Sequence, residues 1–285
     1  MLDPQRVHRA LDHRVSRLLR RGRSRGVPAV IEEPLRLVST VGYQVSAHIH
    51  RPADATGRLP AVLLCPGTND PGTVFDGLSG PISADEVARL GAVVLHFDPA
   101  GRGESWGEED YGGDEHQDEV AVALRYLASR PDVDPARIGV VAVSLGVAMA
   151  VGGVCRAGTP VAWLLDWEGP CDREIITAGG SRMAPALGHT LDDERYWKPR
   201  EAVRKVGELP CPYVRLQAEG DHAQPGELRH AQRMLHAASA GRLPWFQIND
   251  HPRGEAPPRP VWLDSGPRAA HKALLRKVQT LLASP

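Results

Sequence analysis

The stretch from residue 138 to residue 153 constrains the fold more than any other part of the chain. Its first half, Ile138 to Val143, is a continuous apolar run rich in β-branched residues, which is typical of a strand covered on both faces. Its second half is rich in Ala and Gly and predicts a buried helix. Ser144 stands at the joint, with the small residues Ala142 and Gly146 two positions before and after it.

This pattern predicts a tight turn that exposes the Ser144 hydroxyl at the carboxyl end of the strand. The neighbours are small because the strand and the following helix pass so close that larger side chains would collide. A serine in this position is a candidate nucleophile. The alternative is an ordinary strand-turn-helix unit in which Ser144 only caps the helix, since serine is a favoured N-cap residue.

Size and composition restrict the class of protein. A chain of 285 residues with 42% hydrophobic and 24% charged residues can bury the core of one large globular domain. The formal net charge of -1 gives no reason to expect nucleic acid as a partner. No apolar run reaches the roughly 18 residues of a membrane span, and the first residues lack the apolar region of a signal peptide. We therefore expect a cytoplasmic protein.

Neither a metal nor a cofactor is predicted. The four cysteines contain no C-x-x-C pair, so their spacing indicates neither a zinc site nor a disulfide framework. His48 and His50 share one face of a predicted strand, but two histidines without a third ligand are more typical of a solvated face. The Gly101-Arg102-Gly103 sequence lacks the G-x-G-x-x-G spacing of a dinucleotide site.

Residues 1–28 form a basic extension. They include eight arginines, and apolar residues recur among them at helical spacing, namely Val7, Leu11, Val15, Leu18 and Leu19. We expect a helix that docks on its own domain or contacts a second copy of the chain in a homo-oligomer. A membrane surface or an acidic partner is the alternative. Residues 29–285 are expected to form the main domain.

Strands and helices alternate along this main domain. Six apolar runs predict strands, at residues 61–65, 92–97, 138–143, 161–165, 213–218 and 245–248. Their alternation with helical patterns implies an α/β fold with a mostly parallel sheet covered by helices on both faces. The active groups of such a sheet gather at the carboxyl ends of the strands, where Ser144, Asp221 and His251 follow one another in this order.

On these residues the chain resembles the α/β-hydrolases over roughly residues 30–285. The resemblance rests jointly on a turn, a loop, an elbow and two strand ends: Pro66-Gly67, Asp98 to Ser105, Ala142-Val-Ser144-Leu-Gly146, Gly220-Asp221 and His251. Ala142 replaces the first glycine of the family's elbow, and Pro66-Gly67-Thr68-Asn69 stands in place of its His-Gly turn. The resemblance implies the α/β-hydrolase fold with a short helical lid insertion at about residues 167–208.

The resemblance also implies a serine hydrolase, most like the carboxylic ester hydrolases (EC 3.1). Such an enzyme would cleave an ester, thioester, lactone or amide bond of a small-molecule acyl substrate without a cofactor. Ser144 would be the nucleophile, His251 the general base and Asp221 the acid that orients it. The same triad could serve acyl transfer, peptide cleavage, or a cyclisation or lyase step, and a non-catalytic small-molecule receptor is the alternative of another class.

Two of these roles have rivals. Asp166 also ends a predicted strand, and some members of the family take the acid from that earlier strand. We favour Asp221 because Gly-Asp followed by Pro is the commoner family pattern. His222 and His271 compete with His251, but His222 is adjacent to the expected acid and His271 lies within the closing helix.

The resemblance further implies an oxyanion site and a substrate pocket. The N–H of Leu145 and an N–H of Thr68 or Asn69 would hold the oxyanion. Large aromatic side chains of the insertion could line the pocket or pack within the lid; they are Trp167, Tyr196 and Trp197.

Overall fold

A computed structural model of the chain describes residues 28–77, 80–178, 188–222, 228–257, 263–264 and 266–284. The basic extension predicted for residues 1–28 therefore lies outside the described residues, apart from Pro28. Residues 179–187 of the predicted lid lie outside them as well.

Within the described ranges, eight strands form one sheet in the order β1-β2-β4-β3-β5-β6-β7-β8. Strand β1 pairs antiparallel with β2, β2 pairs antiparallel with β4, and every other neighbouring pair is parallel. The mostly parallel sheet predicted from the sequence is thus confirmed. The strands are β1 Val30–Val38, β2 Gln44–Pro52, β3 Leu59–Cys65, β4 Val93–Phe97, β5 Val133–Val143, β6 Trp163–Trp167, β7 Tyr213–Leu216 and β8 Phe246–Ile248.

Helices cover both faces of the sheet, as the alternating pattern predicts. They are α1 Ala84–Arg89, α2 Asp114–Ser129, α3 Gly146–Arg156, α4 Arg173–Ala178, α5 Glu194–Trp197, α6 Arg229–Ser239 and α7 Pro267–Leu282. Short 3-10 turns lie at Gly72–Phe75, Lys198–Arg200, Ala202–Arg204 and Val206–Glu208. In the part of the chain that the structure describes, no helix has the length and apolarity that crossing a membrane requires.

The core is split between the two faces of the sheet because successive side chains of a strand point to opposite sides. In β3, Leu63 packs with α2 and α3, whereas Val62 and Leu64 pack on the side of α1 and α7. All three side chains are fully buried. The helices on both faces hold the strands rigidly, while the carboxyl ends of the strands can carry polar groups.

Strand β6 ends two residues later than the sequence predicts. The predicted strand covers residues 161–165, but the observed strand is Trp163–Trp167. Glu168 is therefore the first residue after the strand, and it stands at the carboxyl edge of the sheet next to the end of β5.

Candidate active site

Ser144 occupies a sharp turn between β5 and α3. Its φ is 52°, in the left-handed region that non-glycine residues rarely adopt, and its N–H donates to the Trp167 carbonyl at 3.0 Å. A Cβ added to Gly146 would lie 2.6 Å from the Pro66 carbonyl oxygen and 2.7 Å from that of Cys65. Only glycine fits where α3 passes β3 at this distance, which explains the small residue two positions after Ser144.

The Ser144 hydroxyl is part of a chain of hydrogen bonds. Its Oγ lies 2.9 Å from Nε2 of His222, and Nδ1 of the same ring lies 2.8 Å from Oε2 of Glu168. A carboxylate can only accept, so the imidazole carries its proton on Nδ1 and leaves Nε2 to accept from the serine. The trio therefore has a hydroxyl, a base facing it and an acid behind the base.

Glu168 is held firmly in this position. It is 3% exposed, and its Oε1 accepts from the Ala218 N–H at 3.0 Å. Its Oε2 accepts from the backbone N–H of His222 at 3.0 Å in addition to the ring. Its φ of 51° turns the chain sharply at the end of β6. These donors fix the orientation of the carboxylate toward the imidazole.

Asp221, the acid that the sequence favours, lies beside the same ring at a longer distance. Its Oδ1 is 3.8 Å from Nδ1 of His222, beyond hydrogen-bond distance. Its Oδ2 accepts from the side-chain amide of Gln217 at 2.8 Å and lies 3.3 Å from Nε2 of His230. Asp221 adds negative charge next to His222, but the direct hydrogen bond to the ring comes from Glu168.

His251, the base that the sequence favours, lies in the turn after β8. Its N–H donates to the Ile248 carbonyl at 3.0 Å, and its carbonyl accepts from the Gln247 side chain at 2.6 Å. Strand β8 is three strands from β5, or about 14 Å at the usual spacing, whereas β7 is two strands, or about 10 Å, away. The loop after β7 is thus closer to Ser144, and it brings His222 to the hydroxyl instead.

The two remaining rivals have other partners. Asp166 is fully buried in an ion pair with Arg215 at 2.6 Å, and it also accepts from the Tyr213 hydroxyl at 2.6 Å. His271 of α7 lies 2.8 Å from Oε2 of Glu86 in α1. Both groups serve packing between elements in this structure.

The loop after β3 passes beside Ser144. A Cβ added to Gly67 would lie 3.2 Å from the Ser144 Cβ, and Thr68 and Asn69 follow directly. Asn69 has a φ of 58°, so the chain turns sharply there. Leu145 is the N-cap residue of α3 immediately after the serine. Gly67 therefore borders the Ser144 side chain, and the residues expected to supply the oxyanion donors adjoin Gly67 or Ser144 in the chain.

Arg102 holds this loop in place. Its Nη1 donates to the Gly67 carbonyl at 2.5 Å and to the Asp70 carbonyl at 3.3 Å. Its Nε and Nη2 pair with the Glu109 carboxylate at 2.5 and 2.7 Å. The Arg102 side chain is 3% exposed. Burial acts to raise the pKa of Glu109, but the hydrogen bond and the charge of Arg102 outweigh it, and the pKa is lowered.

Asp98 organises the loop that carries Arg102. Its Oδ1 accepts from the Gly72 N–H at 2.7 Å, and its Oδ2 accepts from the Glu104 N–H at 2.8 Å. Gly103 has a φ of 53°, and a Cβ there would lie 2.2 Å from the Asp98 carboxylate. The Asp98 carboxylate therefore accepts hydrogen bonds from two backbone segments, and residue 103 must be glycine because any side chain there would collide with this carboxylate.

A cavity of about 540 Å³ opens next to the base. Its wall includes His222, Trp167, Pro81 and Pro267. The Trp167 ring stacks on the His222 ring with centroids 4.5 Å apart and an interplanar angle of 22°. The indole therefore both lines the cavity and restricts rotation of the imidazole.

The other two aromatic residues of the predicted lid pack near the nucleophile. Trp197 is fully buried and packs with Leu145 and Ala148 at the start of α3. Tyr196 makes an edge contact with Trp197 at 4.9 Å and lies under the Arg200 guanidinium at 3.9 Å. This segment therefore covers the helix that begins directly after Ser144.

Comparisons with known proteins give matches among solved structures only. No family model matches the sequence, and no curated protein matches it. Dipeptidyl peptidase 4 from Porphyromonas gingivalis aligns with a TM-score of 0.66 and 17% identity over 89% of this chain. The alignment spans only 35% of the length of that peptidase.

Two further structures are similar over comparable lengths of this chain. The acetyl xylan esterase from Paenibacillus sp. R4 has a TM-score of 0.63 and 13% identity, over 91% of this chain and 86% of that one. A puromycin-hydrolyzing peptidase from Mycobacterium tuberculosis has a TM-score of 0.63 and 18% identity, over 88% of this chain and 38% of that one. At such identities the likeness is one of fold.

Proposed function

The chain has the α/β-hydrolase fold, and on this premise we propose that it is a serine hydrolase that cleaves a carboxylic ester or a related acyl bond. The observation that carries the proposal is the hydrogen-bond chain from Ser144 through His222 to Glu168, at 2.9 and 2.8 Å. The proposed triad keeps the nucleophile expected from the sequence and replaces the expected Asp221 and His251 by Glu168 and His222.

In the first half of the reaction, Ser144 Oγ attacks the carbonyl carbon of the substrate. Nε2 of His222 takes the hydroxyl proton as the new C–O bond forms, and Glu168 stabilises the resulting imidazolium through Nδ1–H. The N–H of Leu145 and an N–H of Thr68 or Asn69 stabilise the negative charge that develops on the carbonyl oxygen. A donor of this kind typically lowers the barrier by about 3 to 4 kcal/mol.

The first half ends when the tetrahedral intermediate collapses: the bond to the leaving group breaks, His222 returns its proton to the departing oxygen or nitrogen, and the acyl-enzyme remains. In the second half, the acyl-enzyme is hydrolysed. A water molecule then takes the place of the leaving group and gives a proton to His222 as it attacks the acyl carbon. The second collapse releases the acid and restores the Ser144 hydroxyl.

We infer that the cavity of about 540 Å³ beside His222 receives the acyl or alcohol part of the substrate. Its size lies within the range of small-molecule sites, and Trp167 gives it an aromatic wall. In this proposal the described residues 167–178 and 188–208 act as a lid, since Trp197 packs on the first turn of the nucleophile helix. A buried indole there excludes water from one side of Ser144.

A non-catalytic receptor is the alternative of another class. A binding protein has no need for a hydroxyl, an imidazole and a carboxylate in hydrogen-bond order, so the geometry favours the enzyme. Peptide cleavage, acyl transfer or cyclisation would use the same three groups. The similar structures include two peptidases and an esterase, so the fold does not specify the leaving group, and a panel of substrates is needed to identify it.

The proposal is tested with a fluorophosphonate probe and a p-nitrophenyl ester. We expect the probe to modify Ser144 in the wild type and the ester to be hydrolysed, with both reactions lost in Ser144→Ala. Ser239→Ala is the matched control, because Ser239 is exposed and its hydroxyl only caps the His236 carbonyl of its own helix. Labelling that persists in Ser144→Ala contradicts the proposal. Parallel assays with p-nitrophenyl esters and dipeptidyl p-nitroanilides then separate esterase from peptidase activity.

A further inference from the structure

Three ligand-type side chains meet on the α1 side of the sheet, outside the site around Ser144. His50 comes from β2, His96 comes from the adjacent β4, and Asp76 directly follows the 3-10 turn at Gly72–Phe75. The two histidines are buried, with exposures of 3% and 0%, whereas the Asp76 side chain is 33% exposed. Their ligand atoms lie within 4.8 Å of one another.

The distances between these atoms match those around a tetrahedral metal ion. Nε2 of His50 and Nε2 of His96 are 3.0 Å apart, and Oδ1 of Asp76 is 2.8 Å from His96 and 3.7 Å from His50. Ligands at 2.0–2.1 Å from a tetrahedral zinc ion lie about 3.3 Å from each other. The three atoms therefore already have the spacing of three corners of a tetrahedron.

The hydrogen bond behind His50 leaves its Nε2 free to bind a cation. Nδ1 of His50 lies 3.0 Å from Oδ1 of Asp85 in α1, and a carboxylate requires the proton on that nitrogen. A carboxylate behind a histidine ligand is the usual arrangement in zinc sites, where it fixes the tautomer and the ring orientation. Nε2 of His96 also points into the cluster, because it lies within 3.0 Å of both Oδ1 of Asp76 and Nε2 of His50.

A single N–H of His96 cannot donate a full hydrogen bond to both of its neighbours in this cluster. If His96 carries its proton on Nε2, that hydrogen is shared between the Asp76 carboxylate and the His50 lone pair. Nδ1 of His96 has no hydrogen-bond partner among the described residues whichever ring nitrogen carries the proton, so this atom favours neither state of the cluster. A divalent cation would instead satisfy both Nε2 lone pairs and the carboxylate at the same time.

We propose that His50, His96 and Asp76 form a binding site for a divalent transition-metal ion, with Zn²⁺ as the favoured ion. Two imidazole nitrogens and one carboxylate oxygen suit zinc better than the hard cations Mg²⁺ and Ca²⁺, which prefer oxygen ligands. The exposed Asp76 gives the ion access from solvent and leaves room for a water molecule as the fourth ligand.

The ion would link three separate parts of the chain. Asp76 ends the segment that begins with the loop beside Ser144, and the two histidines belong to rigid strands. Binding would thus fasten residues 66–76 to the sheet and raise the stability of the folded state. The ligands are distinct from Ser144, His222 and Glu168, so the site is structural in this proposal and the hydrolytic reaction does not pass through it.

The experiment measures zinc bound to the full chain after chelation, reloading and desalting. We expect about one equivalent in the wild type and a rise of the melting temperature on zinc addition, with at least about 100-fold weaker binding in Asp76→Asn and His50→Gln. Asp85→Asn should weaken binding by about 10- to 100-fold through the histidine behind which it lies. Circular dichroism of each metal-free variant checks that it folds.

His48→Gln is the matched control. His48 is the strand neighbour of His50 and stacks on His96 with centroids 5.2 Å apart, but its Nδ1 pairs with Glu32 and it contributes no ligand atom to the cluster. We expect it to retain zinc. Cobalt loaded in place of zinc should give the intense visible absorption of a tetrahedral ion in the wild type and His48→Gln only.

Two outcomes overturn the proposal. One is the absence of zinc binding and of any zinc-dependent stabilisation in the wild type, which makes the trio a hydrogen-bonded packing element. The other is zinc that stays in Asp76→Asn and His50→Gln but is lost in His222→Ala, since Glu168, Asp221 and His222 also offer three ligand atoms within 4.8 Å. Neither outcome affects the probe labelling of Ser144, which tests the hydrolase proposal separately.

Discussion

At the scale of single residues, the imidazole of His222 faces two carboxylates that differ in role. Oε2 of Glu168 lies 2.8 Å from Nδ1 and accepts a hydrogen bond from it. Oδ1 of Asp221 lies 3.8 Å from Nδ1, and the Asp221 carboxylate accepts instead from the side chain of Gln217. A direct hydrogen bond fixes the tautomer, but a charge at the longer distance only adds a Coulomb term. The two acids should therefore contribute very unequally to catalysis.

This difference predicts a ranking of two variants. Glu168→Gln should lower kcat by about 10³- to 10⁴-fold, because the new amide can donate to Nδ1 and favour the tautomer in which Nε2 cannot accept the Ser144 proton. Asp221→Asn should lower kcat by only about ten-fold. Steady-state kinetics with a p-nitrophenyl ester gives the ranking, and circular dichroism verifies folding. A larger loss in Asp221→Asn would move the acid to the position that the sequence favours.

The proposed zinc ligands, His50, His96 and Asp76, could not be recognised as a group from the sequence. The sequence shows His48 and His50 on one strand and indicates no third ligand. The register places β4 beside β2, so that His96 lies opposite His48 and within 3.0 Å of His50. The third proposed ligand, Asp76, comes from a turn whose position no local pattern predicts. Ligands from separate elements become visible only when the sheet order is known.

At the scale of elements, the loop after β3 depends on a side chain from the loop after β4. Arg102 donates to two carbonyls of residues 67–70 and is itself anchored by two bonds to Glu109. Lysine has the same charge but not the planar fork that makes these contacts simultaneously. We propose Arg102 as a positioning residue for the oxyanion site, since its contacts are with the loop after β3 and with Glu109.

Arg102→Lys should therefore reduce kcat by about ten-fold or more while KM changes little. A shifted oxyanion donor stabilises the transition state less well, whereas it affects binding of the substrate in the ground state only slightly. Arg130→Lys is the matched control: Arg130 makes a similar two-bond pair with Asp132, at the start of β5 and remote from Ser144. Initial-rate kinetics of both variants provides the measurement. An equal loss in both, or a change in KM alone, would argue that Arg102 only stabilises the fold.

The boundaries of elements decided which parts of the site could be predicted. The strand-to-helix joint at Ser144 depends on local pattern, and it is found where the sequence predicts it. The end of β6 is two residues later than predicted, which makes Glu168 a residue at the strand end. The sequence does contain a signal, a glutamate before Gly169-Pro170, but a shift of two residues is within the uncertainty of strand ends. The sequence also offers His222 as the base, but its position next to Asp221 favours His251.

At the scale of the whole molecule, the fold was predictable because burial on both faces leaves a strong trace in the sequence. A continuous apolar run such as residues 61–65 is typical of a strand that is covered on both faces. The pairing of polar groups leaves no such trace. Asp166 and Arg215 are fully buried neighbours on β6 and β7, 49 residues apart in sequence, and their partnership depends on the strand order.

Glu119 shows how one buried group affects the stability of the entire domain. It lies on α2 and is 1% exposed; it accepts from the Tyr43 hydroxyl at 2.7 Å and from the Ala100 N–H at 3.2 Å. Burial raises its pKa to about 7, well above the ordinary value of a glutamate, although these two hydrogen bonds act in the opposite direction. The carboxyl joins the first hairpin, α2 and the loop after β4, so its ionisation bears on global unfolding.

This shift predicts that stability falls with rising pH in a defined window. The folded protein holds the Glu119 proton more tightly than the unfolded chain, so the contribution is complete below about pH 4.5 and is lost as the pH rises through about 7. A shift of this size corresponds to at most about 3 kcal/mol. Glu119→Gln removes the titration while it preserves the shape and an acceptor oxygen. The free energy of unfolding of the wild type should therefore fall relative to the variant between about pH 5 and about pH 8.

Urea unfolding of the wild type and of Glu119→Gln measures this difference, and the contributions of groups common to both proteins cancel in it. Glu255→Gln is the control: Glu255 is exposed, so this variant should have the same dependence of stability on pH as the wild type. Parallel profiles for the wild type and Glu119→Gln would mean that Glu119 is already ionised in the folded protein at the lower end of this range.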